Sequence, residues 1–172
     1  EIPLPPLAEQ KRIVALLDEA LAGIDEAKAK AEWNVQAATD LLESRLSELF
    51  LKPEAATSMI SDHCTEVTVG YVGPMADKYV SNGIPFLRSQ NVRPFEINFD
   101  NLMQITPAFE KSLAKSRLVP GDVVVVRTGY PGTAAVIPTE LQMANCADLV
   151  ILRPMKSLDP NYLVAFFNSK VG

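Results

Sequence analysis

The feature that most constrains this chain is a long stretch without proline. From Ala8 to about Leu51 there is a single glycine, Gly23, and the stretch is rich in Ala, Leu, Glu, Lys and Gln, all strong helix formers. The segment before it, Ile2–Leu7, contains three prolines and therefore favours extended backbone. The sequence thus predicts one continuous helix, a rod of about 60 Å at 1.5 Å per residue.

Apolar residues recur along this helix alternately three and four positions apart, as in a coiled-coil seam. Lys28 interrupts the series, and a polar residue in a seam more often fixes register or pairing than adds stability. The apolar members, called the seam below, are Val14, Leu17, Leu21, Ile24, Ala31, Val35, Ala38, Leu42 and Leu49.

Two interpretations of the seam are open. Amphipathic helices usually pack against the globular part of their own chain. However, a domain of about 120 residues has a diameter of roughly 30–35 Å, so the rod would extend beyond it. We therefore expect most of the seam to pair with another helix, from a second copy of the chain or from a missing half of the protein.

A different pattern begins after Lys52-Pro53, where we expect the helix to end. Beyond a polar linker to Ser61, short β-rich runs alternate with Gly, Pro and Asn turn signals. The fold class is therefore α+β: a long N-terminal coiled-coil-type helix (residues 1–52) followed by a mixed α/β domain with a twisted sheet (residues 53–172). We predict strands at Thr65–Val72, Pro85–Arg88, Val123–Arg127, Ala134–Ile137 and Leu149–Leu152, and helices near Pro107–Lys115 and Pro160–Ser169, the latter with Asp159 as N-cap.

The charge balance bears on the partners that the chain can bind. A net charge of −5 is unusual for a nucleic-acid-binding protein, because phosphate contacts need a basic surface. Residues 1–52 hold 6 Lys+Arg against 10 Asp+Glu, whereas residues 53–172 hold 10 against 11. The second part can therefore still gather its basic residues on one face.

Composition argues against several other classes. No apolar run approaches the roughly 20 residues that cross a bilayer, and the first residues do not form a secretion signal, so we expect a cytoplasmic protein. Cys64 and Cys146 fit no CxxC spacing and His63 is the only histidine. We therefore predict no metal site and two buried, unreactive thiols. The missing initiator Met indicates a fragment of a longer protein.

Three polar loops of the second part are candidates for binding. Arg88–Arg93 presents Arg, Ser, Gln, Asn and Arg, side chains that match base edges and phosphates. Arg127–Thr133 follows four valines and contains two glycines, which let backbone approach a ligand closely, but it lacks the GxxxxGK(S/T) spacing of a phosphate-binding loop. In Met143–Asp148, Asn145 either contacts a base or caps a turn. On composition alone, such loops are more often plain solvated surface.

Together these segments resemble the DNA-specificity subunits of Type I restriction-modification systems. The proline-rich lead-in, Glu-Gln and start of the seam in Ile2–Val14 are similar to the family's entry to its conserved spacer helix. Pro85–Arg88, Gly121–Val123 and Arg127–Gly129 resemble hallmarks of its target-recognition domains, and Tyr162–Ser169 resembles their closing helix.

The resemblance implies a non-catalytic subunit without a cofactor of its own. Members of the family carry two recognition domains, each contacting one half of a split DNA site, joined by two long helices that pair antiparallel. This chain has one helix and one domain, so it is either cut from a natural subunit or a half-subunit that dimerises. The implied partners are double-stranded DNA, a methyltransferase subunit that uses S-adenosylmethionine, a restriction subunit that uses ATP, and a second copy or missing half of the specificity subunit.

The resemblance also implies that the Arg88–Arg93 and Arg127–Tyr130 loops face DNA. The side chains expected to supply phosphate and base contacts are Lys78, Tyr79, Arg88, Ser89, Gln90, Asn91, Arg93, Lys115, Arg117, Arg127, Thr128, Tyr130 and Asn145.

Two other functions remain as alternatives. A coiled-coil module that binds protein and not DNA is favoured by the overall acidity. An enzyme with a cysteine nucleophile is disfavoured, because His63 is adjacent to Cys64 and neighbouring side chains on a strand point to opposite faces.

Overall fold

The computed structural model describes residues 2–51 and 56–172. Helix α1 spans Leu7–Phe50, 44 residues, or about 66 Å, which confirms the predicted helix. The predicted domain boundary at Lys52-Pro53 lies outside the described residues. Contacts between α-carbons divide the chain into two compact units, residues 1–45 and 46–172, so the last turn of α1 belongs to the second unit.

The seam of α1 is exposed along its whole length. Its large side chains are between 48% (Leu42) and 68% (Val35) exposed, and Ala31 and Ala38 are exposed as well. Trp33, on a different face of the helix, is 71% exposed. Neither α1 nor any other described helix is long and apolar enough to cross a membrane.

The second unit contains short strands and two further α-helices. Helices α2 and α3 span Pro107–Ser112 and Pro160–Phe167. The described strands are β1 (Cys64–Val69), β2 (Tyr79–Val80), β3 (Ile84–Leu87), β4 (Val92–Arg93), β5 (Glu96–Ile97), β6 (Met103–Ile105), β7 (Arg117–Leu118), β8 (Val123–Val126), β9 (Ala134–Val136), β10 (Ala144–Cys146) and β11 (Leu149–Pro154).

One sheet is antiparallel, with strand order β1-β11-β8-β9. Its strand β8 consists of four buried valines. Val124 and Val126 enter one hydrophobic cluster, whereas Val123 and Val125 enter a second cluster with Leu163 and the rest of α3. Because side chains alternate along a strand, each face of β8 fills a different core.

The other large sheet is mixed, with strand order β2-β6-β3-β10-β7 and β3 parallel to β10. A separate two-stranded ribbon, β4-β5, follows β3. Helix α3 begins as predicted, with the Asp159 carboxylate accepting a hydrogen bond from the Asn161 N–H at 2.8 Å and Pro160 in the first turn. Phe50 packs edge-on against Tyr162 and Phe166 of α3, with ring centroids 5.4 and 5.5 Å away.

Sequence reasoning missed six described strands of two or three residues each: β2, β4, β5, β6, β7 and β10. The prediction of a polar loop at Met143–Asp148 was wrong, since β10 occupies Ala144–Cys146. Strands of two or three residues are too short to show alternation, and a polar residue, Asn145, lies at the centre of β10. These strands are defined by pairing with residues distant in sequence.

Both cysteines are buried, and burial raises the pKa of the Cys146 thiol to about 12. At pH 8 the thiolate of Cys146 should therefore be about a thousandfold scarcer than that of an ordinary cysteine. We expect Cys146 to resist alkylation in the native protein and to react fully in guanidinium chloride. Peptide mapping by mass spectrometry measures this, and rapid native labelling of Cys146 would contradict the structure.

Candidate nucleic-acid interface

The first two candidate loops meet in the structure. Residues of both loops line one open cleft of about 460 Å³, although Arg88, Asn91 and Arg127 do not. Side chains that can contact nucleic acid come from both loops, and apolar side chains lie between them. The cleft is lined by Ser89, Gln90, Val92, Arg93, Pro94, Val126, Thr128, Gly129, Tyr130 and Thr133.

The first loop is held from inside by Asn91. Its side-chain oxygen accepts from the Arg88 backbone N–H at 3.1 Å, and its amide donates to the carbonyls of Asn98 and Asp100 at 3.1 and 3.2 Å. Phe95, with φ of +71°, donates its backbone N–H to the Ala134 carbonyl at 3.0 Å. These bonds fix the loop against β9 and leave Gln90 and Arg93 exposed.

The second loop is the tight connection between β8 and β9. Gly129 and Gly132 have φ of +102° and +90°, a region that residues with a Cβ rarely adopt. The Gly132 N–H donates to the Val126 carbonyl at 3.1 Å, which closes the loop. Tyr130 lies between the two glycines with 83% of its surface exposed. A large aromatic side chain is thus held in solvent at the edge of the cleft.

The two arginines of these loops differ in their surroundings. Arg93 is exposed and has no ion-pair partner among residues 2–51 and 56–172. Arg127 is also exposed, but its guanidinium pairs with the carboxylate of Asp148. Arg93 is therefore free to bind an acceptor, whereas Arg127 already holds one.

Three predicted contacts, Lys78, Tyr79 and Arg88, do not line the cleft. The Arg88 guanidinium lies 5.8 Å from the Tyr79 ring centroid and donates to the Asn101 carbonyl at 2.9 Å. Lys78 pairs with Asp77 at 2.7 Å, and this hydrogen bond lowers the pKa of Asp77 and raises that of Lys78. Arg88 and Tyr79 thus stabilise each other, and Lys78 is partly neutralised.

Lys115 and Arg117 also lie away from the cleft. Lys115 is exposed, whereas Arg117 makes a two-pronged ion pair with the buried carboxylate of Glu110, at 2.6 and 3.0 Å. That bond raises the pKa of the Arg117 guanidinium. Arg117 therefore neutralises a buried acid, and its contact with DNA stays a prediction.

The predicted DNA contacts of Asn91 and Asn145 require a correction, because both are completely buried. Asn145 accepts from the Ser116 hydroxyl at 2.7 Å and donates to the Leu113 carbonyl at 3.0 Å. A base edge cannot reach either amide while the domain is folded. Their hydrogen-bonding groups hold loops in place and do not face a ligand.

Sequence reasoning missed Asp148, whose two oxygens bind Arg127 and Thr128. It lies 20 residues or more from both in sequence, and no local pattern connects them. The only local signal was its place directly before the predicted strand Leu149–Leu152, where Asp tolerates the left-handed conformation that it adopts, φ +53°.

The fold, with its long helix and sheet domain, is similar to that of two solved chains from Type I restriction-modification systems. The HsdS subunit from Thermoanaerobacter tengcongensis matches with a TM-score of 0.55 and 23% identity, over 96% of this chain and 42% of that one. A chain from a structure of the type I R-M system, determined to explain its complex assembly and conformational transition, matches with a TM-score of 0.62 and 24% identity over the same shares. The predicted α+β fold class is confirmed.

A comparison of sequences gives the same result as the comparison of folds. The specificity subunit of the Type I restriction enzyme EcoBI from Escherichia coli is 24% identical over an alignment 190 residues long, which covers 95% of this chain and 38% of that protein. The resemblance seen in the sequence motifs is thereby confirmed. No protein-family model matches the chain. The chain spans about two fifths of the length of these relatives.

Proposed function

We propose that the second unit binds double-stranded DNA at the cleft and recognises one half of a bipartite target, as the specificity part of a Type I restriction-modification system. The observation that carries the proposal is the meeting of two loops, far apart in sequence, in one cleft whose side chains suit base contacts. Arg93 can donate two hydrogen bonds to guanine and Gln90 can pair with adenine. Ser89 and Thr128 add hydroxyl groups that bind either bases or phosphates.

The apolar lining of the cleft fits the same role. Pro94 is apolar and exposed, so it suits the methyl group of thymine or the carbon atoms of deoxyribose, whereas the buried Val92 and Val126 form the floor of the cleft. Tyr130 can pack against either group from its exposed position at the edge. Lys78, Arg88 and Lys115 remain candidates for phosphate contacts outside the cleft.

The helix is proposed as the assembly element. Its seam is exposed and apolar, so we infer that it pairs with the corresponding helix of a second copy or of a second half of the specificity subunit. The acidity of residues 1–52 suits protein docking away from phosphates. Methyltransferase and restriction subunits are the proposed partners, and they would carry S-adenosylmethionine, ATP and all catalysis in the cytoplasm.

Selection of bound sequences from a pool of random duplexes tests the proposal. We expect one short motif to be enriched, with affinity that falls as salt rises. Arg93→Ala and Tyr130→Ala should each weaken binding to that motif by about 10- to 100-fold. Lys156→Ala, an exposed lysine outside the cleft, is the matched control and should change affinity by less than about threefold.

The same experiment separates the alternative of a protein-binding module without DNA contacts, which the net charge of −5 favours. That module would enrich no sequence and would bind duplexes equally weakly with or without Arg93. Either result would contradict the proposed function.

A further inference from the structure

Asp148 occupies a position that the proposed function does not explain. Its carboxylate accepts hydrogen bonds from two successive residues of the second loop, one oxygen from the Arg127 guanidinium and the other from the Thr128 hydroxyl at 3.0 Å. Its own backbone is fixed, since φ is +53° and its N–H donates to the Tyr71 carbonyl at 3.2 Å. The carboxylate is therefore held by the fold and in turn orients the loop.

The Arg127–Asp148 ion pair is neither buried nor fully exposed to solvent. The side chain of Arg127 is 47% exposed and that of Asp148 is 35% exposed. Because guanidinium has five N–H donors in a planar fork, binding one carboxylate oxygen through Nη2 leaves other donors able to bind a second acceptor. Asp148 thus fixes the orientation of the Arg127 guanidinium, and the remaining N–H groups of Arg127 can bind another acceptor.

A neighbouring carboxylate changes which acceptors Arg127 favours. A phosphate carries a full negative charge and is repelled by Asp148, while the attraction to Arg127 is largely cancelled at the same distance. The acceptor atoms of a guanine edge carry no net charge, so Asp148 reduces their attraction to Arg127 much less. Asp148 therefore disfavours phosphate and preserves base contacts.

We propose that Asp148 is the positioning residue of this DNA surface: it orients Arg127 and Thr128 toward a base edge and keeps Arg127 from binding phosphate indiscriminately. The inference rests on the proposed function and adds a specificity determinant to it. It predicts that loss of the carboxylate changes affinity for target and for random DNA in opposite directions.

Asp148→Asn tests this, because it keeps the size and a hydrogen-bond acceptor while removing the charge. We expect affinity for random duplex to rise about threefold to tenfold, and the slope of log K against log salt to steepen by about 1. Affinity for the selected motif should fall about tenfold. Glu140→Gln, an exposed acid outside the cleft, makes the same change in net charge and should shift neither the slope nor the discrimination.

The Arg127→Ala background supplies a second readout. If Asp148 acts through Arg127, adding Asp148→Asn to Arg127→Ala should leave the salt slope unchanged. A purely structural role for Asp148 would instead weaken binding to the motif and to random duplex together, in proportion to the loss of thermal stability. That result would overturn this inference and leave the proposed function standing. If the unaltered chain shows no salt-dependent duplex binding, the proposed function fails as well.

Discussion

Leu21→Lys should reduce self-association of the isolated chain by at least about a hundredfold. Burying a leucine stabilises an interface by roughly 1.5–3 kcal/mol, and a symmetric pair loses two such contacts. Each copy must also bury or displace an ammonium group. Leu21 is the third of the nine seam residues and is 57% exposed in the single chain, so the substitution should affect contacts with a partner helix and not the fold of the chain.

Sedimentation equilibrium over a wide concentration range measures this effect. Ala22→Lys is the matched control, because it introduces the same charge at the next residue, which is exposed and off the seam. We expect the unaltered chain and Ala22→Lys to dimerise equally and Leu21→Lys to remain monomeric. A monomeric unaltered chain at every concentration, or equal effects of the two lysines, would show that the seam does not pair copies of this chain.

Asn145→Ala should destabilise the second unit by about 2–4 kcal/mol, with a fall in melting temperature of roughly 10 °C. The substitution removes an acceptor of the Ser116 hydroxyl and of the Cys146 N–H, and one of the donors to the Leu113 carbonyl, at a completely buried position. Thermal unfolding followed by circular dichroism measures the loss.

The control for this prediction is Asn82→Ala, at an exposed asparagine, which should change stability by less than about 0.5 kcal/mol. An Asn145 that contacts a base would give the reverse pattern, with normal stability and weakened DNA binding. That outcome would restore the role that burial of Asn145 argues against.

Much of the architecture could be predicted because its signals are local. The absence of proline and the seam define α1, the four valines define β8, and Asp159-Pro160 marks the start of α3. The strands that were missed depend on pairing across the chain, and Asn145 in β10 shows how a buried polar residue resembles a loop residue in sequence.

The candidate site was predictable only as a set of loops. Residue type identified Arg93, Gln90 and Tyr130, which do line the cleft. It could not distinguish Arg93, at the cleft, from Arg117, because residue type alone does not show which arginine neutralises a buried acid. The ion-pair partners that the fold brings close, Glu110 to Arg117 and Asp148 to Arg127, decide between those roles.

The most direct test of the account is hydrogen–deuterium exchange of the chain with and without a selected duplex. We expect DNA to slow exchange of backbone amides in residues 89–94 and 127–133 and to leave residues 154–160, on another surface of the same unit, unchanged. Protection confined to α1 or to residues 154–160, with both loops of the cleft unaffected, would contradict it.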